Sequence, residues 1–321
     1  MKIRIGVLGL ADIAFNRFVP SLLKSNRFQL AGVAKFEGED VERARRFEEK
    51  YKTKVYDNFV AMINDSDIDA IYLPVPPAKH YEWAVKSLES GKHVLVEKPF
   101  TTSLNDSHDL ISLARQKDLA VHENYMFEFH SQIKQVRNWI ETKKYGEVRM
   151  MRAAFGFPLR QSNDFRYNKS LGGGALLDAG GYVIKLGSIL LDNPVITTSE
   201  TRSLPGFEVD ILGSASLADE NGMVYQAGWG MSNFYQCSLE LWTEKCKIST
   251  NRIFTSPVDL KPTYTIEFQN EKQEIVLPSD DHFLNSIEHF ADLILDKQLR
   301  ENREHKILKQ AELIEFIKQN G

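Results

Sequence analysis

The sequence predicts a mixed α/β protein of two domains: a doubly wound domain on a parallel sheet, then an α+β domain on an open, mostly antiparallel sheet. Three observations lead to this prediction. The chain has 321 residues, which is long for a single core. Short apolar runs alternate with helical patterns as far as residue 125, and after about residue 145 short alternating segments separated by turns take over. We expect domains at residues 1–123 and 124–321.

The first part of the chain has the rhythm of βαβ units. Apolar, β-branched runs predict strands at 2–10, 28–36, 54–56, 69–75, 93–100 and 119–125. Apolar residues at helical spacing predict helices at 13–25, 39–51, 58–64, 79–91 and 104–118. Pro20 should lie in the first turns of its helix or kink it, and Gly91 should end the fourth helix. This order implies a parallel sheet with right-handed crossovers.

The second part alternates apolar and polar residues with a period of two. This pattern predicts strands at 146–157, 193–201, 210–218, 223–230, 236–244, 246–251, 264–269 and 273–278. We expect these strands to be antiparallel with one covered face. One helix, at 173–191, interrupts them, and two more should follow at about 281–297 and 304–320.

Composition and charge exclude several classes of protein. The net charge of −4 provides no basic excess for a nucleic-acid backbone. Cys237 and Cys246 lie close together in a strand-rich region and are expected to be free thiols in a reducing cytoplasm, rather than a disulfide or part of a metal site. There is no basic leader before an apolar run, and no run of 18 apolar residues, so we expect neither a signal peptide nor a membrane span.

The turn after the first strand reads "GLADIA", in which Gly9, Ala11 and Ala14 occupy the three glycine positions of G-x-G-x-x-G. Asp12 and Ile13 lie between them. The fingerprint requires a tight turn, a close approach of backbone to pyrophosphate and a small residue at the helix–strand contact. Ala11 departs from the strict motif, but N–H groups at the helix start can still bind phosphate. We therefore expect a Rossmann domain that binds a dinucleotide.

The end of the second strand bears on the choice of cofactor. An NAD site usually places Asp or Glu there, whereas this chain has Lys35 and Phe36. Lys35 could pair with a 2′-phosphate and Phe36 could cover the adenine. The sequence thus favours NADP, with NAD as the alternative because Glu37, Glu39 and Asp40 follow closely.

The segment "HVLVEKPF" places two charges at the end of an apolar strand. In a parallel sheet, ligands bind outside the carboxyl ends of the strands, so Glu97 and Lys98 are expected to point into that crevice. Pro99 would end the strand. The competing interpretation is an ordinary solvated strand end.

These motifs together resemble the Gfo/Idh/MocA oxidoreductase family. The resemblance rests on "GVLGLADIA", "PVPPAKHYEWA", "GKHVLVEKP" and "LGGGALLDAGGY", in the order of the family. Within the family, "ENYMFEFHSQ" and "FRYNKSLGGGALLD" are similar to a branch of NADP-dependent 3-ketoreductases that act on nucleotide-linked keto sugars, with sugar and dihydrodiol dehydrogenases as neighbours. Many relatives carry His at the last position of D-x-x-x-H, where this chain has Tyr182.

The resemblance implies roles that agree with the chemistry of ketone reduction. Reduction needs a hydride source and a proton donor to the developing alkoxide. Tyr182 is the candidate proton donor, since a phenol keeps its proton at neutral pH, and Lys98 is the candidate cation beside the substrate oxygen. Asp178, four residues before Tyr182 on one predicted helix, would bind a substrate hydroxyl or hold Lys98.

The remaining candidates would line the cofactor or substrate pocket. Pro74 and Pro76 would shape a loop, and Asn124 and Phe127 would line the pocket. His80 is expected beside the nicotinamide ribose, with an ordinary helix-start histidine as the alternative. Arg166 resembles a family arginine near the cofactor, with a surface ion pair as the alternative. Gly172–Gly174 suggest a close backbone approach, either to the cofactor or to a helix start.

No metal site is expected, because His122, Glu123 and His130 lack the spacing of H-E-x-x-H and fit core or pocket lining better. The leading hypothesis is an NADP-dependent reductase of a keto sugar. The alternatives are an oxidative dehydrogenase of free sugars or dihydrodiols, and a dinucleotide-sensing regulator without turnover. Such a regulator would not need the proton donor. An open sheet face is best covered by a second copy, so we expect a homodimer or homotetramer.

Overall fold

The computed structural model describes residues 2–36 and 41–321. Its residues group into two compact units. The first comprises Met1–Asn124 and Phe283–Ala311, and the second comprises Tyr125–His282 and Glu312–Gly321. The unit that contains the N-terminal sheet therefore also includes residues from near the end of the chain.

A six-stranded parallel sheet forms the centre of the first unit. Its strands are β1 Ile3–Leu8, β2 Phe28–Ala34, β3 Val55–Tyr56, β4 Ala70–Leu73, β5 His93–Glu97 and β6 Val121–Asn124. They lie in the order β3-β2-β1-β4-β5-β6, and every neighbouring pair is parallel. This is the predicted doubly wound sheet, and it brings the carboxyl ends of all its strands to one edge.

The helices between these strands follow the apolar pattern. They are α1 Val19–Leu22, α2 Val41–Tyr51, α3 Phe59–Ile63, α4 His80–Glu89 and α5 Leu104–Gln116. A π-helical turn, Ala14–Phe18, precedes α1, and Pro20 lies in the first turn of α1 as predicted. Gly91, with φ +78°, follows the end of α4. Glu39 and Asp40, at the start of the predicted helix 39–51, lie outside the described residues, as does Glu37.

The second unit is built on an eight-stranded open sheet. Its strands are β7 Val148–Gly156, β8 Val195–Ser203, β9 Asp210–Ala218, β10 Val224–Gly230, β11 Gln236–Thr243, β12 Lys247–Thr250, β13 Thr263–Glu267 and β14 Lys272–Val276. The order is β14-β13-β12-β11-β7-β10-β9-β8. Every predicted strand is present. The predicted open, mostly antiparallel sheet is confirmed, and the exception among its neighbouring strands is the pair β7 and β10, which runs parallel.

The later helices differ from the sequence prediction in two places. They are α6 Ser131–Glu141, α7 Gly181–Leu190, α8 His282–Leu295 and α9 Lys297–Asn320, with a π-helical turn at Leu176–Gly180 before α7. The helix α6 was not predicted. The last helix begins at Lys297 rather than 304, because the Asp296 carboxylate accepts the Leu299 N–H at 3.0 Å and caps a polar first turn.

Short 3₁₀ turns lie at Pro77–Lys79, Met126–Phe129, Phe165–Tyr167 and Lys169–Leu171. The apolar core of the first unit includes β4 and β5, whose central residues are fully buried and belong to one cluster with Phe59, Leu110 and Ile307. Cys237 and Cys246 are buried free thiols, as expected. In the part of the chain that the structure describes, no helix is both long and apolar enough to cross a bilayer.

Candidate functional site

The first βα turn has the geometry that the glycine fingerprint requires. Gly9 has φ +111°, in the left-handed region, and its N–H donates to the Ala34 carbonyl at 3.0 Å. A Cβ atom at Gly9 would lie 3.4 Å from Val75 Cγ1. Ala14 is fully buried, Ala11 and Ile13 are partly buried, and Asp12 is exposed. The predicted tight turn and the predicted small packing residue are therefore both present.

The two residues after β2 lie at the same edge of the sheet. The Lys35 ammonium is 3.1 Å from Asp57 Oδ1, in a pair whose acid is almost fully exposed. The Phe36 ring is 43% exposed and packs edge-on against Phe59, with ring centroids 5.4 Å apart. A cation beside a half-exposed aromatic ring suits a phosphorylated ribose and an adenine, although Asp57 would compete for the cation.

The loop after β4 is tied to the turn after β5 by one histidine. Pro74 is buried, and the Pro76 carbonyl accepts the Lys79 N–H at 2.8 Å, which starts the helical turn before α4. His80 is fully buried, with Nε2 2.9 Å from the Val75 carbonyl oxygen and Nδ1 2.7 Å from the Pro99 carbonyl oxygen. Burial lowers the pKa of His80 to about 4. Since a neutral ring has a single N–H, at neutral pH it donates to one of the two carbonyls.

Glu97 ends β5 with several donors directed at its carboxylate. Tyr72 Oη donates to Glu97 Oε1 at 2.6 Å, and Asn124 Nδ2 donates to the same oxygen at 2.7 Å. Removal from water raises the pKa of Glu97, while these bonds and the charge of Lys98 oppose that change. The structure therefore brings two predicted site residues, Glu97 and Asn124, into direct contact next to Lys98. The Lys98–Pro99 peptide is cis.

In the second unit, Arg166 forms an ion pair with Asp178, a partner that the sequence did not indicate. Arg166 Nε donates to Asp178 Oδ2 at 2.6 Å, and Arg166 Nη1 donates to Asp164 Oδ1 at 3.1 Å. Burial disfavours the charge of Arg166, but the two carboxylates outweigh it and raise the pKa of the guanidinium. The acid predicted to bind substrate is thus held by the arginine predicted to lie near the cofactor.

Tyr182 lies in an aromatic cluster of the second unit. Its ring is 6% exposed, and its hydroxyl is 3.7 Å from Met126 Sδ. The rings around it belong to Tyr125, Phe127, Phe155 and Phe254, with centroids 5.0–5.9 Å away. Asp178 lies in the π-helical turn before α7, whereas Tyr182 lies in α7 itself. Phe127 therefore lines the surroundings of the candidate proton donor.

The glycines 172–174 permit a close approach between backbone segments. A Cβ atom at Gly173 would lie 2.4 Å from the Arg166 carbonyl oxygen, and one at Gly174 would lie 2.3 Å from Asp210 Oδ1. Asp210 Oδ2 accepts the Leu176 N–H at 2.7 Å at the start of the helical segment. The glycines were expected to allow a close backbone approach either to the cofactor or to a helix start, and the structure contains the contact at the helix start.

The residues considered for a metal have other partners. His122 Nε2 is 2.9 Å from Ser286 Oγ, Glu123 Oε1 accepts the Phe100 N–H at 2.9 Å, and His130 Nδ1 accepts the Gln132 N–H at 3.2 Å, which caps α6. Over residues 2–36 and 41–321, no group of three or more His, Cys, Asp and Glu side chains has a metal-binding arrangement.

Four polar residues near the candidates were missed by sequence reasoning. They are Tyr72, Lys185, Ser286 and Arg303. Lys185 is 1% exposed on α7, with its ammonium 5.7 Å from the Tyr125 ring centroid. A lysine three residues after the tyrosine on an otherwise apolar helix is a signal that could have identified it. The others lie in strands or helices with no local motif.

Comparison with known proteins gives matches along almost the whole chain. A family model described as the oxidoreductase family with NAD-binding Rossmann fold matches residues 3–125, and the Gfo/Idh/MocA C-terminal domain model matches residues 133–249. The chain is similar to dTDP-3,4-didehydro-2,6-dideoxy-alpha-D-glucose 3-reductase of Saccharopolyspora spinosa, with 34% identity over 99% of this chain and 97% of that protein. The same enzyme of Actinomadura kijaniata is 33% identical, with coverage of 98% and 95%.

Among solved structures, the chain is similar to KijD10, a 3-ketoreductase from Actinomadura kijaniata in complex with NADP and TDP-benzene. The TM-score is 0.94 at 33% identity, over 100% of this chain and 98% of that one. Both domain models match, and the relatives named here exceed 30% identity over at least 95% of their length. The chain therefore belongs to the Gfo/Idh/MocA oxidoreductase family.

Proposed function

We propose that this oxidoreductase uses NADPH to reduce a keto group of a nucleotide-linked sugar. The observation that carries the proposal is end-to-end similarity, at 34% identity, to a reductase of a dTDP-linked keto sugar. The chain also carries the residues that such a reaction needs, since Lys98, Asp178 and Tyr182 are the candidates that the family resemblance implies.

The described residues of the first unit fit a dinucleotide. The tight turn at Gly9 suits a pyrophosphate, with residues 11–14 supplying N–H groups, and Lys35 and Phe36 suit a 2′-phosphorylated adenosine. When bound, the nicotinamide supplies the hydride. We assign the remaining cofactor contacts to Pro74, Pro76, His80, Glu97, Lys98, Asn124 and Arg166.

In this proposal, side chains of the protein donate the proton to the alkoxide and stabilise its negative charge. When hydride adds to the carbonyl carbon, the π electrons of the C=O bond move to the oxygen. The alkoxide that results takes the phenolic proton of Tyr182 and leaves a phenolate. The Lys98 ammonium lowers the free energy of the alkoxide by charge and hydrogen bonding. Asp178, oriented by the 2.6 Å bond from Arg166, accepts a hydrogen bond from a neighbouring sugar hydroxyl.

The test is a fluorescence titration with NADPH and with NADH, followed by turnover assays. A tenfold preference for NADPH, about 1.4 kcal/mol, and consumption of NADPH with a TDP-linked 3-keto sugar are expected. Preference for NADH together with oxidation of free sugars or dihydrodiols would replace this proposal by the oxidative alternative. Binding without turnover of any of these substrates would favour the sensing regulator.

We further infer that the chain works as a cytoplasmic homodimer or homotetramer without a nucleic-acid partner. We also infer that residues 1–123 and 124–321 act as its domains, with the exception of Phe283–Ala311, which group with the first unit. Support for self-association comes from the outer face of the second sheet. There Trp242 is 37% exposed and the Arg152 guanidinium lies 4.3 Å from the centroid of its ring. Sedimentation at micromolar concentration should give a dimer or larger, and a clean monomer would contradict the assembly.

A further inference from the structure

A buried chain of hydrogen bonds runs through the first unit to Glu97. Arg303 Nε lies 3.1 Å from His122 Nδ1, His122 Nε2 lies 2.9 Å from Ser286 Oγ, and Ser286 Oγ lies 2.8 Å from Asn124 Oδ1. Asn124 Nδ2 completes the path at 2.7 Å from Glu97 Oε1. We call Arg303, His122, Ser286 and Asn124 the donor chain. Each of the four is at most 3% exposed.

The direction of every bond in the donor chain is set by its first member. A guanidinium can only donate, so His122 Nδ1 must accept, and the neutral ring carries its proton on Nε2. That N–H donates to Ser286 Oγ, which leaves the serine hydroxyl to donate to Asn124 Oδ1. With its carbonyl engaged, Asn124 must present its amide N–H₂ group to Glu97. A carboxylate, which only accepts, fits the end of such a chain.

The donor chain opposes the effect of burial on the pKa of Glu97. Loss of water favours the neutral carboxyl, whereas donors directed at the oxygen favour the ionised form. Oriented hydrogen bonds in series also polarise one another. Arg303 is further held by a 2.8 Å bond from Nη2 to the Glu123 carbonyl oxygen, which keeps the start of the chain rigid.

We propose that the donor chain is a positioning device that keeps the Glu97 carboxylate ionised and oriented beside Lys98. Its role in catalysis rests on the proposed function, in which Lys98 stabilises the alkoxide. The chain makes α8 and α9, which supply Ser286 and Arg303, part of the support for a strand end more than 180 residues earlier.

Several ionisable groups face this system. Tyr72 from β4 and Lys98 from the end of β5 act on Glu97 itself. Around His122 they are Arg303 from α9 and His289 from α8, whose ring centroid is 5.5 Å from that of His122. Protonation of His122 would place an N–H against the guanidinium and break the chain at its second member.

The test is a carboxyl ¹³C NMR titration of the full-length apo protein labelled at glutamate, with the Glu97 resonance identified by its loss in Glu97→Gln. Ser286→Ala removes one oxygen atom and interrupts the chain. The Glu97 midpoint should move to higher pH in this variant and return toward the wild-type value in Ser286→Thr, which restores the hydroxyl. Ser87→Ala is the matched control, since Ser87 is also fully buried on a helix and its hydroxyl donates to the Trp83 carbonyl at 2.7 Å.

An unchanged Glu97 midpoint in a folded Ser286→Ala protein would overturn the proposal, and so would equal shifts in the Ser286 and Ser87 variants. The midpoint is measured without cofactor or substrate. Failure of the donor chain is therefore distinguishable from failure of the proposed function, which would appear as absent NADPH binding or absent keto-sugar reduction in the wild-type protein. If the donor chain and the proposed function both hold, lowering the pH should weaken NADPH binding, and this weakening should begin at a higher pH in Ser286→Ala than in wild type.

Discussion

At the scale of single residues, Tyr182 is the position where loss of one atom should separate binding from chemistry. Its ring is nearly buried among aromatic side chains, so Tyr182→Phe fills the same space. We expect fold and NADPH affinity to be kept and turnover to drop by roughly 10²–10⁴. The measurement is kcat at saturating NADPH and keto sugar.

Tyr225→Phe is the control for Tyr182. Tyr225 is fully buried in the same unit, and its hydroxyl donates to the Val183 carbonyl at 2.7 Å. Its loss should cost about 1 kcal/mol of stability and leave kcat unchanged. A Tyr182→Phe enzyme as fast as wild type would remove this residue from the mechanism.

Lys35 should determine the preference for NADPH over NADH, and Asp57 should limit it. Because the ammonium is 3.1 Å from Asp57 Oδ1, that carboxylate competes with a 2′-phosphate and repels it. Lys35→Ala should weaken NADPH binding about tenfold and leave NADH nearly unchanged, whereas Asp57→Asn should strengthen NADPH binding. Fluorescence titration of both cofactors measures the ratio.

Lys54→Ala provides a comparison for Lys35, since Lys54 is a surface lysine paired with Asp65 at 3.3 Å. It should change neither affinity. Equal losses of NADPH and NADH affinity in Lys35→Ala would end the 2′-phosphate assignment.

Residues that belong to a local motif could be predicted, whereas two members of the donor chain, Ser286 and Arg303, could not. Gly9, Ala14 and Glu97 are marked by their place at strand ends. Ser286 and Arg303 contact His122 across 164 and 181 positions. In the sequence they are polar residues of helical segments, and the same pattern describes a solvated helix face.

At the scale of elements, the glycines before α7 make a steric prediction. A Cβ atom at Gly173 would lie 2.4 Å from the Arg166 carbonyl oxygen and 2.8 Å from that of Asn168, and backbone cannot yield as a side chain can. Gly173→Ala should therefore cost about 1–3 kcal/mol of unfolding free energy and, by moving Arg166, lower turnover. Urea denaturation measures the first effect.

Gly228→Ala on β10 is the matched control, since a Cβ atom there meets nothing within 4 Å. Gly228→Ala should change the free energy of unfolding by no more than about 0.5 kcal/mol. If Gly173→Ala unfolds at the same urea concentration as Gly228→Ala, the turn at 165–171 is more adaptable than its contacts indicate.

The elements missed or misplaced by the sequence prediction have physical reasons. Helix α6 contains buried Ile133, Val136 and Trp139 at helical spacing, so a signal existed, but its cap is His130 rather than the usual Ser, Thr, Asp or Asn. The π-helical turns before α1 and α7 leave no mark in apolar periodicity, because one added residue per turn is a local change.

At the scale of the whole molecule, the grouping of Phe283–Ala311 with the first unit is the least predictable feature. Apolar periodicity identifies the buried face of a helix but does not indicate which other element that face packs against. Ile307 on α9 joins the apolar core around β4 and β5, and Arg303 reaches β6. The segment Phe283–Ala311, which holds most of α8 and the first part of α9, thus completes a unit whose sheet ends at residue 124, and both packing and the donor chain depend on it.

Acid should destabilise the protein in a definite pH window. His93 Nδ1 accepts the Ala120 N–H at 2.9 Å, and burial, assisted by the charge of Arg300, lowers the pKa of His93 to about 4. The unfolded chain has a histidine pKa of about 6.5. Between these values the unfolded state binds more protons than the native state, so the free energy of unfolding falls as pH falls from about 6.5 to about 4. Fully buried His80, with a pKa of about 4, acts in the same direction.

His93→Gln separates this contribution from the rest. The glutamine carbonyl can accept the Ala120 N–H but does not titrate. As the pH falls from about 6.5 to about 4, the free energy of unfolding of the variant should therefore decrease by about 2 kcal/mol less than that of wild type. Urea unfolding at pH 7 and at pH 4.5 measures the difference, with exposed His108→Gln on α5 expected to behave as wild type. Identical pH dependence in wild type and His93→Gln would mean that the imidazole of His93 takes up its proton equally in both states, and the acid sensitivity would then have to come from other groups such as His80.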